Sequence, residues 1–266
     1  MKLKVNISPC PNDTFMFDAL LNGRIDTDDL EFGVTFADIE ELNAMALGGD
    51  IDVCKVSYAV VPAIADRYRV LTSGSALGRG NGPLLVAARD IDMSDGALRV
   101  AVPGEHTTAN LLVQRLYPHL TDRTPVLFSE IADRVAGGGF DVGVLIHEGR
   151  FTYAKKGLRL VADLGVGWER KMSLPLPLGA IVVSRSLPEE LQSRICRLLR
   201  RSIWHAYQYP EESYKFIRSH AQEMDQRVIA DHIALFVNDY SVDLGTEGRR
   251  AVEALTGIED ENIFVE

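Results

Sequence analysis

The spacing of apolar and polar residues switches between two periods from the first residues onward. Lys2-Leu3-Lys4-Val5-Asn6-Ile7 alternates at every step, as a strand with one buried face does. Residues 14–22 then predict a helix, with Asn12 or Asp13 as N-cap and Gly23 as its stop. A strand over 30–36 precedes a helix over about 39–47, which Asp38 and Glu41 open as a capping-box-like pair and Gly48-Gly49 closes. A short strand at 52–55 feeds a helix near 58–65, and strands at 69–72 and 84–88 flank a glycine-rich loop.

The series restarts near Leu98. It runs through strand 99–102, helix 107–117, strand 125–128, helix 131–136 and a buried strand at 141–146, with another strand at 158–162. A strand over 178–183 follows, and from Pro188 the chain predicts four helices, at 189–207, 211–220, 226–237 and 246–255. Strands alternating with helices over short connections imply an α/β fold with a parallel or mostly parallel sheet. The restart near Leu98 and the returning strand near Leu178 imply two lobes, with residues 1–90 plus 180–266 in the larger, 91–179 in the smaller, and a cleft between them.

Composition narrows the function classes. A chain of 266 residues, 46% hydrophobic, can bury a core without staples, and three cysteines at wide spacing (Cys10, Cys54, Cys196) make neither a disulfide framework nor a zinc motif. The net charge of −10 argues against nucleic acid, which needs a concentrated basic face. Arg194, Arg197, Arg200 and Arg201 fall at helical spacing and are expected to form a solvated helix face. No apolar run reaches the roughly 20 residues of a membrane span, and the N-terminus lacks the apolar segment of a signal peptide. The expected compartment is therefore the cytoplasm, with no membrane partner.

In open α/β sheets, ligands gather at the carboxyl ends of strands, against helix starts. Four such junctions carry concentrated polar chemistry. Ser8-Pro9-Cys10-Pro11-Asn12-Asp13-Thr14-Phe15 is a rigid turn into a helix, where Asn12, Asp13 and Thr14 offer side-chain hydrogen bonds; taken alone, a well-capped helix is the favoured explanation, and Cys10 fits a small packed residue. Lys55-Val56-Ser57-Tyr58 places a cation and a hydroxyl at a strand end, where the plain alternative is a surface lysine before an N-cap serine. Gly104-Glu105-His106-Thr107-Thr108 opens a helix with two hydroxyls, either a cradle for an anion or ordinary capping. His147-Glu148 ends a buried strand, which would bring an imidazole, the natural general base near neutral pH, to the rim of the sheet. A second histidine four residues on would make a metal motif, but that position is Phe151. The loop at 73–83 lacks the Gly-Lys-Ser/Thr ending of a phosphate-binding loop, which excludes an ATP site; it is expected to let backbone approach a ligand or a lobe crossing.

These motifs in this order resemble the 1,4-dihydroxy-6-naphthoate synthase family of the futalosine route to menaquinone. The resemblance rests on the 8–15, 55–58 and 102–108 stretches just given and on Ile146-His147-Glu148. Ser73-Gly74-Ser75-Ala76-Leu77-Gly78-Arg79-Gly80 and Leu174-Pro175-Leu176-Pro177-Leu178-Gly179 also carry it, and it extends to Val237-Asn238-Asp239-Tyr240-Ser241. It implies a type II periplasmic-binding-protein-like fold used as a cofactor-free, metal-free lyase on a small carboxylate substrate, cyclic dehypoxanthinyl futalosine. His147 would then be the proton acceptor, and Lys55, Val56, Ser57, Thr107 and Thr108 would contact substrate; Asn12 and Thr14 are added from their place at the first helix start. A monomer or homodimer is expected. The same fold also serves solute-binding proteins and chorismate dehydratase of the same pathway, which stand as the alternatives.

Overall fold

A computed structural model describes residues 1–221 and 225–266, which fall into two units: Met1–Gly78 with Pro177–Glu266, and Arg79–Leu176. The first stretch of the chain holds β1 (Lys2–Ile7), α1 (Pro11–Leu21), β2 (Glu31–Phe36), α2 (Ile39–Gly48), β3 (Val53–Ser57), α3 (Val61–Ile64), β4 (Tyr68–Leu71) and β5 (Ala76–Gly78). The second unit is built from β6 (Leu84–Ala87), β7 (Val100–Val102), α4 (Thr108–Leu116), β8 (Arg123–Pro125), α5 (Phe128–Ala136), β9 (Val142–Leu145), α6 (Gly149–Thr152), β10 (Arg159–Asp163) and α7 (Leu164–Met172). The chain then returns through β11 (Leu176–Ser184) to α8 (Glu189–Gln208), α9 (Pro210–His220), α10 (Gln226–Phe236), α11 (Asp239–Val242), α12 (Gly245–Thr256) and β12 (Phe264–Val265). Among the described residues, no helix is long and apolar enough to cross a membrane.

The larger unit is organised on a sheet ordered β12-β4-β11-β3-β1-β2, with β5 against β11. β1 runs parallel to β2 and β3, but β11 is antiparallel to both β3 and β4. Leu3, Val5 and Ile7, the apolar half of the first alternation, meet Phe15, Met16 and Leu20 of α1 and Ile195, Leu199 and Ile203 of α8 in one apolar cluster. The smaller unit has a sheet ordered β10-β6-β9-β7-β8 and a separate core of Val86, Ala101, Ile131, Val135 and Leu145.

Several expectations shift. Both sheets are mixed rather than mostly parallel, since a returning strand such as β11 or β6 enters against its neighbours. β6, assigned from sequence to the larger lobe, pairs with β9 and β10 and belongs to the smaller unit, which starts at Arg79. α1 begins at Pro11, not residue 14, because a proline at the first helical position gives up an N–H that has no partner there anyway. Asn12 and Asp13 therefore lie inside the first turn, and Cys10 takes the N-cap place. The expected strand at 125–128 is split: Pro125 ends β8 and Phe128 begins α5. Helix α7 and the short strands β5 and β12 were not expected from the sequence. Arg200 is not simply solvated, because its guanidinium donates to Ser73 Oγ, Thr72 Oγ1, the Val242 carbonyl and Asp243.

Candidate active site

In the smaller unit, strand direction collects the polar junctions on one rim. β7 runs parallel to β8 and β9, β6 is antiparallel to β9, and β10 is antiparallel to β6. The carboxyl ends of β7, β8, β9 and β10 and the amino end of β6 thus share an edge of the sheet. Residues 103–107 follow β7, 146–148 follow β9, Asp163 ends β10 and Gly82 precedes β6.

His147 leaves the buried strand β9 half-buried, with its backbone in the left-handed region at φ 51°. For a residue with a Cβ that conformation costs about 1–2 kcal/mol, and such strain persists where the surroundings impose it, often at functional sites. The ring packs edge-on to Phe128, with centroids 5.0 Å apart and planes at 64°. The Glu148 carboxylate and a ring nitrogen of His147 lie within 4.8 Å of each other. Glu148 Oε2 is buried and lacks a hydrogen-bond partner among the described residues. An acceptor so placed can orient the imidazole or receive a donor from a bound molecule.

At the neighbouring junction Thr107 is the N-cap of α4. Its hydroxyl accepts from the Asn110 backbone N–H (3.2 Å) and donates to the Gly104 carbonyl (3.0 Å). That side chain is committed to capping, so what this end presents to an anion is the first-turn amide direction and the helix dipole. Asn110 donates from Nδ2 to the Glu105 carbonyl at 2.8 Å, while its buried Oδ1 has no partner among the described residues.

The glycine-rich loop is fixed to the same rim. A Cβ on Gly82 would sit 2.3 Å from the backbone of Gly165, so the loop and the start of α7 touch main chain to main chain. Arg150, two residues after Glu148, donates to the Gly80 carbonyl at 2.9 Å and to that of Gly82, with Asp163 at 3.8 Å. Burial lowers its pKa from the ordinary value and Asp163 opposes the shift.

In the larger unit, Lys55 and Ser57 end β3. Ser57 is clasped at two points by Asn43 of α2: its backbone N–H donates to Asn43 Oδ1 (2.8 Å), and its Oγ accepts from Nδ2 (3.1 Å), leaving its own O–H to donate. Lys55 Nζ is 2.7 Å from Asp13 Oδ1 in an ion pair whose side chains are 6% and 0% exposed. Asn12 donates to Asp13 at 2.8 Å and meets His232 of α10 across 3.0 Å. Val56 faces the core with no exposed surface, its backbone in the ladder opposite Ala180. Thr14 is fully buried, and its hydroxyl donates back to the Cys10 (3.0 Å) and Pro11 (3.3 Å) carbonyls. Burial pushes the Cys54 thiol up to about 12, and all three cysteines are buried.

Comparison with known proteins fixes the family. The profile of a family described as menaquinone biosynthesis matches residues 3–261. The chain belongs to this family. It is 46% identical over 253 residues to a 1,4-dihydroxy-6-naphthoate synthase of Thermus thermophilus, covering 95% of this chain and 92% of that one. A protein with the same name from Streptomyces coelicolor is 45% identical over 261 residues, covering 95% and 91%. Among solved structures, a protein from Archaeoglobus fulgidus aligns with a TM-score of 0.89 at 36% identity, over 96% of this chain and 95% of that one. A Candida albicans protein described as having the generic periplasmic binding protein fold aligns at 0.68 with 12% identity, over 99% and 93%, a likeness of fold alone.

For this menaquinone-biosynthesis chain, the sequence-chosen residues fall into two groups, each held by its own unit. His147, Thr107 and Thr108 share the rim of the smaller sheet, and Lys55, Ser57 and Asn12 share the buried polar end of β3 and α1. Asn43, Asn110 and Arg150 were not singled out, and Asp13 was read only as a cap and hydrogen-bonding group of the first helix start. Asp13 and Asn110 resembled ordinary residues of a helix start, and nothing in the spacing of Asn43 or Arg150 links them to partners 14 and about 70 positions away.

Proposed function

We propose that this chain is a cytoplasmic 1,4-dihydroxy-6-naphthoate synthase, a lyase that releases the naphthoate from a cyclic futalosine-derived substrate. The names of the relatives at 45–46% identity support the reaction. The placement of His147, strained and half-buried at the end of β9, carries the mechanism. The substrate's carboxylate docks against the start of α4 at Thr107 and Thr108, where amide direction and helix dipole favour negative charge. The imidazole of His147 removes a carbon-bound proton. The electrons left behind expel the sugar-derived fragment, and formation of the aromatic naphthalene ring drives the elimination. Glu148 orients the imidazole. Lys55 and Ser57 are further substrate contacts through their N–H and O–H donors.

Proton abstraction followed by aromatisation requires no Lewis acid, so dialysis against a chelator is expected to leave turnover unchanged. The direct test is incubation with cyclic dehypoxanthinyl futalosine while watching for the naphthoate chromophore. Tight binding without conversion would instead identify a solute-binding protein. Conversion of chorismate would identify the dehydratase.

A further inference from the structure

The Asp13 carboxylate is saturated with donors. Oδ1 accepts from Lys55 Nζ at 2.7 Å and Asn12 Nδ2 at 2.8 Å, and Oδ2 accepts from Ser8 Oγ at 2.6 Å and the Ser8 backbone N–H at 3.3 Å. A carboxylate offers about four lone-pair sites, and all are used, so Asp13 has nothing left for a substrate. Lys55 is the reverse case. An ammonium has three donors, Asp13 takes one, and no other acceptor among the described residues takes the remaining two. Buried polar groups are rarely left so under-used unless something else satisfies them. The lysine also lacks room to move: a Cβ on Gly179, the β11 partner of Ser57, would stand 2.7 Å from Lys55 Cε and 3.4 Å from Nζ.

We propose that Asp13 is the positioning residue for Lys55, anchoring one ammonium N–H so that the other two are aimed at a substrate oxygen, with Gly179 supplying the space in which the lysine lies. The proposal rests on the reading of Lys55 as a substrate contact. The ion pair fixes the direction of a side chain with four rotatable bonds, and its entropy is lost on folding rather than on binding.

The test is a double-mutant cycle between Asp13→Asn and Lys55→Met, read on the cyclic futalosine substrate with circular dichroism melts as the folding control. Asp13→Asn is expected to lower kcat/KM by about 10–100-fold, the range of one charge-assisted hydrogen bond, mostly through KM. In the Lys55→Met background the same change should have little further effect. Full additivity would reduce Asp13 to a scaffold residue and overturn the proposal. Gly179→Ala leaves the Ser8 and Asn12 donors to Asp13 in place, displaces the lysine, and should raise KM in the same way if Asp13→Asn fails to fold; an unchanged KM would count against the proposal. A separate readout needs no turnover. In lysine-selective ¹⁵N spectra the anchored ammonium of Lys55 should give a slowly exchanging signal, identified by its loss in Lys55→Met. It should be absent from Gly179→Ala and from folded Asp13→Asn, and its persistence would overturn the proposal. A wild-type chain that does not convert the substrate would sink the proposed function, while the lysine signal would still decide what Asp13 does.

Discussion

The two groups of candidate residues, one in each unit, differ in how their polar atoms are satisfied. At the strand ends of the larger unit, Asp13, Asn43, Ser57 and Thr14 are buried and paired, several of them at more than one point. On the rim of the smaller unit, a histidine sits in a left-handed backbone conformation, and Glu148 Oε2 and Asn110 Oδ1 are buried without partners among the described residues. Satisfied networks hold a shape. Strain and unused acceptors are costs that a fold keeps where they serve chemistry. On the proposed reading, His147 is the reacting group and the residues of the larger unit hold donors still.

The hardest test of that contrast is His147→Ala. It is expected to lower kcat by about 10²–10⁴-fold with KM little changed, as for removal of a general base. Turnover near the wild-type rate would erase the distinction between the units.

Smaller in energy is the strain itself. His147→Gly should melt above His147→Ala, with a stability gap of about 1–2 kcal/mol, because glycine enters the left-handed region without the Cβ penalty. Equal unfolding free energies in urea would show that the backbone at 147 stores nothing.

Thr14→Val probes the other side. Loss of its back-bonded hydroxyl should cost about 1 kcal/mol of stability and leave kcat and KM unchanged. A raised KM would place Thr14 among the substrate contacts.

The slightest effect is expected at Asp141, which precedes β9 and so lies at the opposite end of that strand from His147. Hydrogen bonds from Arg99, side chain first and backbone second, hold its carboxyl below the ordinary carboxylate range. A carboxyl depressed in the folded state adds stability above its unfolded value near pH 4 and loses it as pH falls through the lower folded value. The urea midpoints of wild type and Asp141→Asn should therefore differ at pH 7 and converge toward pH 3. A gap that stays constant with pH would assign the effect to packing.

Much of this was legible along the chain because the signals were local. The alternation of 2–7 marked β1, the run 142–146 marked a buried strand, and His147 followed directly from where that strand had to end. Thr107 was readable as the opening of a helix, and it is the N-cap of α4. Less legible are positions where two explanations share one local pattern. Thr14 was read from its place at a helix start and Val56 from the family resemblance, and sequence spacing does not say whether a hydroxyl turns back on its own helix or a side chain faces the core.

By itself, then, the sequence determined the α/β class, the family, and the strand-end histidine, since periodicity, punctuation and motif order are written in neighbouring residues. Only the tertiary structure decided that β6 joins the smaller sheet, that Asp13 spends all its lone pairs on Ser8, Asn12 and Lys55, and that Gly179 makes room for the lysine. Those outcomes depend on strand order and on contacts between residues as far apart as 55 and 179. A hydrogen bond or a close approach at that separation exists only once the sheet has set which strands are neighbours.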